Sequence, residues 1–336
     1  MSQRTRALAW DHGVTSVESL GGMLGATSFL LPDGRQVAPF QIAPWANETG
    51  GAELPGILRR LRGEWPCVPF GSDADRKPIG DWPGSHSAGT IESFPHGFGS
   101  NNDWTFLEGG AGIALSIAYP DSHPIASLER RVTPDPTSAA LDFELVIKAR
   151  HDCQLPLGLH PCFRLPTTPG AMRIEIAPGV SGATFPVATD ASSIFQTDQF
   201  LPRWNDVPLR DGSRLDVSRV PLPYHTEELV QLIDMPGSAE LWNTAEGYRV
   251  RLKWNREHFP SALLWFTNRG RTFAPWNGRH LALGLEPICS AFDLGQQIST
   301  SDNPISRRGV ATARKFTAGE RFVTRYRVEV EPAEIL

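Results

Sequence analysis

Cysteine is scarce: four in 336 residues, Cys67, Cys153, Cys162 and Cys289, with no C-x-x-C pair among them. That usage argues against a disulfide-built scaffold and fits free thiols in a reducing compartment. Long apolar runs are missing too. No stretch approaches the roughly 18 apolar residues needed to span a bilayer, and the opening Met1–Arg6 is followed by no sustained apolar run. Neither a membrane partner nor a signal peptide is expected, and the expected location is cytoplasmic. Positive charge is not in excess: 32 Lys and Arg stand against 37 Asp and Glu, a net charge of -5. Nucleic acid is therefore not an expected partner either. No Walker A or dinucleotide fingerprint is found, and no strong metal cage is spelled out, so no cofactor and no metal are expected.

Turn formers and indoles are abundant instead: 29 prolines, 31 glycines and 10 tryptophans. Frequent turn residues predict many short strands rather than long helices. Gly25–Leu31, the turn Pro32-Asp33-Gly34 and Gln36–Phe40 read as an opening hairpin. Ile113, Leu115, Ile117 and Tyr119 alternate with other residues, as do Leu141, Phe143, Leu145 and Ile147. Tyr248, Val250, Leu252 and Trp254 alternate with Arg249, Arg251, Lys253 and Asn255, the cleanest period of two in the chain. Ser261–Thr267 reads as a buried strand, and Phe322, Tyr326, Val328 and Val330 close the set. Helix is expected only at 52–62 and 291–298. Residues 72–103 are polar and weakly periodic, which suits a functional or mobile segment. With no linker and no repeat, the prediction is one all-β domain over 1–336, a large antiparallel β-sandwich.

Two stretches share a design. In Leu157–Pro166, Leu157 and Leu159 point one way and Gly158, His160 and Cys162 the other, with Pro161 directly after the histidine. In His280–Pro287, Leu281, Leu283 and Leu285 form one face and His280, Ala282, Gly284 and Glu286 the other, with Pro287 after the glutamate. Each reads as a strand that ends in an ionisable residue plus proline, with glycine two residues before it. Imidazole titrates near neutrality, so such a histidine and carboxylate make a candidate acid/base pair.

Gly158-Leu159-His160-Pro161-Cys162-Phe163 and Gly284-Leu285-Glu286-Pro287 resemble the galactose mutarotase (aldose 1-epimerase) superfamily. Its members carry an H-P/S-Y-F-x-L strand and, nearer the C-terminus, a G-x-x-x-E-P strand. Phe94–Trp104, with its His96-Gly97 pair, resembles the family's histidine-glycine segment, and the three pieces follow the family's order over roughly residues 20 to 330. The resemblance implies a galactose mutarotase-like supersandwich that interconverts the α and β anomers of a free aldose. It implies Glu286 as an ionised base, His160 as a protonated acid and His96 as a sugar-binding donor. Glu228 or Asp234 would fix sugar hydroxyls, and Arg76 would replace an N-R pair that the family has at the rim of the site. Trp104, Trp265 and Trp276 are candidate stacking platforms, whereas His86 reads as loop decoration. The expected partner is a small-molecule sugar, bound by a monomer or homodimer; the motifs do not specify which sugar.

Three other functions compete. A hexose-6-phosphate 1-epimerase of the same superfamily would carry arginine where this chain has Ser100, so free aldoses are expected to be preferred, unless Arg59, Arg60, Arg62, Arg76 or Arg271 supplies the charge. A non-catalytic carbohydrate-binding protein has no need of both His160 and Glu286. A metal site would use His160 and Cys162 with Glu286 and Cys289, although buried cysteines more often serve as small hydrophobes.

Overall fold

The computed structural model describes residues 4–48, 53–72, 77–84 and 95–334. Two large antiparallel sheets dominate it. The nine-stranded sheet runs in the order Arg219–Val220, Met172–Glu175, Ser238–Asn243, Tyr248–Trp254, Arg321–Pro332, Ala140–Ala149, Ile125–Pro134, Ile113–Ala118, Thr105–Leu107. Its strands bury one face and wet the other, as the alternation of Tyr248–Trp254 requires: Val250 and Leu252 are buried, while Arg251 reaches across to Glu240 at 2.6 Å on the outer face.

The eight-stranded sheet behaves differently. Its main path is Phe200–Leu201, Ser181–Thr184, Thr226–Ile233, Ser261–Asn268, Leu281–Cys289, Leu157–Leu159, Pro66–Cys67, and Cys162–Arg164 also pairs with Leu281–Cys289. Every residue of Thr226–Ile233 and of Ser261–Asn268 is buried, so these strands are covered on both faces. On one face Leu159, Val230, Leu264, Leu283 and Leu285 join the core shared with the nine-stranded sheet. On the other, Leu229, Leu263, Trp265 and Ile288 form a second apolar layer, roofed by segments between strands. A sheet with both faces dry can place a polar side chain out of water without a domain interface.

One polar cluster crosses the space between the sheets. Glu64 is ion-paired to Arg130 from the nine-stranded sheet, and Tyr326 Oη donates to its other oxygen at 2.5 Å. All three side chains are buried. The next residue, Trp65, emerges on the second face of the eight-stranded sheet.

The helices are shorter than predicted and differently placed. The expected helix at 52–62 is a single 3₁₀ turn, Gly56–Arg59, and residue 52 lies outside the described residues. Asn101 Oδ1 accepts the Ile57 N–H at 3.1 Å, and Trp45 Nε1 donates to Leu58 O at 2.7 Å, so side chains rather than a helical ladder fix this segment. The expected helix at 291–298 starts later, as Gly295–Thr300. Among the described residues no helix is long and apolar enough to cross a membrane.

Candidate functional site

The strand register brings His160 and Glu286 together. Leu157–Leu159 and Cys162–Arg164 both pair with Leu281–Cys289: Gly158 faces Ile288, and Cys162 faces Gly284. The register is the same on either side of the interruption, so His160 stands directly across from Glu286. Cross-strand neighbours of this kind lie about 4.5–5.5 Å apart at Cβ, and here His160 Nε2 is 3.5 Å from Glu286 Oε1. One expectation needs correction. The glutamate strand does not end at Pro287 but continues to Cys289. Leu285 N–H donates to Pro161 O at 3.1 Å, so two residues on, the missing N–H of Pro287 falls on the same side, beside the interruption at His160.

Both side chains open on a cavity of about 560 Å³ over the second face of the sheet. The His160 ring is fixed from several sides. Trp65 stacks on it with centroids 4.1 Å apart and planes at 18°, and Trp65 O accepts the His160 N–H at 2.9 Å. The rings of His96 and Trp265 meet it edge-on at 4.9 and 5.8 Å. Cys162 Sγ lies 3.4 Å from its Nδ1.

Burial disfavours charge on both side chains. It pushes the Glu286 carboxyl well above the usual carboxylate range, and the Asp293 charge acts the same way. It also holds the His160 imidazole well below its ordinary value, with His96 adding to the effect. Both shifts disfavour the charged forms, whereas the resemblance implied an ionised Glu286 beside a protonated His160.

His96 precedes the short helix Gly97–Asn101 and has a left-handed φ of 61°. Gly97 follows with φ 85°, and a Cβ there would stand 2.2 Å from Val68 O, so only glycine fits. Gly71 N–H approaches His96 Nδ1 at 3.4 Å, which directs the Nε2 side elsewhere in the cavity. Ser100 does not face the cavity: its hydroxyl donates to His96 O at 2.6 Å from a fully buried position.

Other sequence-based candidates lie elsewhere. Trp104 is in the core between the sheets, its indole N–H on Gly99 O at 2.7 Å, and is not a stacking platform. Glu228 points to the same inner side, where Ser193 Oγ donates to it at 2.9 Å and Thr226 Oγ1 at 2.7 Å; it holds the 193–195 segment and does not line the cavity. Asp234 sits in an exposed turn and pairs with Arg256 at 2.9 Å. Arg76 and His86 lie outside the described residues. Arg60 and Arg62 pair with Glu18, and Arg59 Nε donates to Leu54 O. Cys289 Sγ is directed at Ala311 O, and among the described residues no group of three His, Cys, Asp or Glu side chains is placed to hold a metal ion.

Trp265 and Trp276 do line the cavity, and Arg271 lines it with them. The Arg271 guanidinium lies 4.5 Å above the Trp276 ring and 3.2 Å from Glu227. Glu227, not Glu228, is the acidic residue behind the cavity wall: it accepts the Trp265 indole N–H at 2.5 Å, and burial raises it to about 7. The sequence offered no parity signal here, because Leu229 and Ile233 on one face and Val230 and Leu232 on the other are equally apolar.

No protein-family profile matches the sequence, and no curated relative matches it. Solved structures do match in fold. The Slr1438 protein of Synechocystis sp. PCC 6803 superposes with a TM-score of 0.64 at 13% identity, over 99% of this chain and 96% of that one. A galactose mutarotase related enzyme from Lactobacillus acidophilus gives 0.60 at 11%, over 98% of both chains. A galactose mutarotase-like protein from Clostridium acetobutylicum gives 0.60 at 13%, over 98% of this chain and 95% of that one. The chain thus has the galactose mutarotase-like β-sandwich fold.

Proposed function

We propose that this protein is an aldose 1-epimerase, in which Glu286 and His160 open and reclose the ring of a free aldose. The observation that carries the proposal is the cross-strand approach of His160 Nε2 to Glu286 Oε1 at 3.5 Å, at the wall of a cavity with aromatic sides. In the productive complex the carboxyl proton moves to the imidazole. Carboxylate Glu286 then takes the anomeric hydroxyl proton while imidazolium His160 protonates the ring oxygen; the C1–O5 bond breaks and C1=O forms. Rotation about C1–C2 presents the other carbonyl face. The neutral pair that remains runs the steps backwards, and no proton is gained or lost over the cycle. Each positioned transfer gives about two to four powers of ten in rate. His96 would donate to the sugar, and Trp265 and Trp276 would cover its apolar face.

The test is polarimetry or NMR on a panel of freshly dissolved α-anomers, with and without the protein. Acceleration for at least one aldose is expected. Acceleration for none, with binding retained, would favour the non-catalytic carbohydrate-binding reading. Neutral aldoses are expected to be favoured. Arg271 is the one Lys or Arg among the described cavity-lining residues, and it is already paired to Glu227. The kcat/KM for glucose or galactose should therefore at least equal that for the 6-phosphate. A tenfold preference for the phosphate, lost in Arg271→Gln, would make the enzyme a hexose-6-phosphate 1-epimerase.

A further inference from the structure

The proposed acid has an unusual neighbour. Among the described residues, His160 Nδ1 meets neither a carboxylate nor a backbone carbonyl of another residue, but Cys162 Sγ at 3.4 Å. Cys162 is two residues on along the same face, and the family motif quoted above has tyrosine at this position. The thiol has its own acceptor, His160 O at 3.9 Å. A thiol has one proton; spent on that carbonyl, it leaves the sulfur lone pairs facing Nδ1. Burial raises Cys162 well above the ordinary thiol range, so the S–H is retained.

The other ring nitrogen gives the same answer. A buried carboxylic acid needs an acceptor for its proton, and Nε2 is 3.5 Å from Glu286 Oε1. With Glu286 protonated, one arrangement gives each proton a neighbour: Glu286 O–H toward Nε2, Nδ1–H toward Sγ, and S–H toward His160 O. The opposite tautomer would place Nε2–H against the carboxyl group and leave Nδ1 to compete for the one thiol proton.

We infer that Cys162 is a positioning residue: its sulfur accepts from Nδ1–H and so holds His160 in the tautomer whose Nε2 is free to receive the Glu286 proton. The role follows from the tautomer. Only with Nδ1 already protonated can transfer from Glu286 yield imidazolium plus carboxylate, and only then does donation from Nε2 to the ring oxygen return the starting tautomer. Sulfur is a weak acceptor, weaker than a carboxylate. It fixes the ring without stabilising the imidazolium strongly, which keeps His160 a ready acid. The inference rests on the proposed acid/base pair for its consequence, but the tautomer can be measured without it.

The experiment is ¹⁵N NMR of the full chain with labelled histidine, His160 being assigned by its loss in His160→Gln. Wild type is expected to show Nδ1 protonated and Nε2 unprotonated near neutral pH. Cys162→Val, similar in volume but without an acceptor, should lose that preference and lower kcat about ten- to a hundredfold, as loss of a supporting hydrogen bond does, with KM within about twofold. Cys162→Ser, which keeps donor and acceptor, should restore both. An Nε2–H tautomer in the wild type overturns the inference, and so does Cys162→Val with kcat within about twofold of wild type. If no aldose is anomerised, the functional proposal fails while the NMR result still decides this one.

Discussion

At Glu286, burial and chemistry pull in opposite directions. The site holds the carboxyl well above the usual 4.5 by desolvation. Between that ordinary value and the raised one, the unfolded chain has lost the proton and the folded chain keeps it. The folded state therefore binds more protons in that window, and stability falls as pH rises through it. Glu286→Gln removes the penalty while keeping the shape. Its melting temperature should exceed wild type by a margin that grows as pH rises above 4.5, as read by calorimetry. Anomerisation should fall below about a tenth of wild-type kcat/KM, a loss above about 1.4 kcal/mol. His160→Asn should lose activity likewise. Retained activity in either variant removes that residue from the mechanism. Both residues were legible in the sequence because each sits on the polar side of a strand whose other side is leucine. The bias against charge was not, since it depends on how much water the surrounding residues exclude.

The two strands work as elements because each carries a glycine two residues before its ionisable side chain. At Gly284 a Cβ would stand 2.2 Å from Glu286 Oε1, so the carboxyl group occupies the space a side chain would have used. At Gly158 a Cβ would stand 2.1 Å from Phe70 Cδ2, and Phe70 packs edge-on against His96 with centroids 5.0 Å apart. Gly284→Ala should therefore displace the carboxyl group, which is the free end of a side chain, and press on Trp265 Cβ of the paired strand, 3.0 Å from the new methyl. The expected outcome is a drop in kcat of roughly two to three powers of ten, with a melting temperature lowered but a folded protein retained. A fully active Gly284→Ala would mean that the carboxyl orientation does not matter. The shared glycine spacing was visible in the sequence, but what fills each gap depends on the fold. Wherever strands are covered on both faces, as in Thr226–Ile233, parity carries no information, which is why Glu227 was missed.

Over the whole molecule, the sandwich was legible from its half-exposed strands, such as Tyr248–Trp254, whose outer face must be polar. What lies between the sheets was not. Glu64, Arg130 and Tyr326 are far apart in sequence, and nothing local marks them as partners. Removing one partner from a buried ion pair costs about 3–5 kcal/mol, whereas replacing the whole group by apolar residues is often neutral or stabilising. Arg130→Met alone should therefore lower stability by about that amount. The triple variant Glu64→Met, Arg130→Met, Tyr326→Phe should recover most of it, as measured by urea unfolding. A single variant as stable as wild type would show that the cluster carries no such penalty.

The break at His160–Pro161 has a consequence best put in terms of phase. Two residues stand between the flanking strands, an even number, so the alternation resumes after the gap in step with itself. Cys162 stays on the cavity side and Phe163 in the core between the sheets. Substitutions in the gap leave that count alone, whereas a deletion does not. Loss of Pro161 alone would swing Phe163 toward the cavity and Cys162 toward the core, reversing the inside and outside of everything downstream in that strand. Insertions and deletions should be tolerated in this stretch in pairs or not at all.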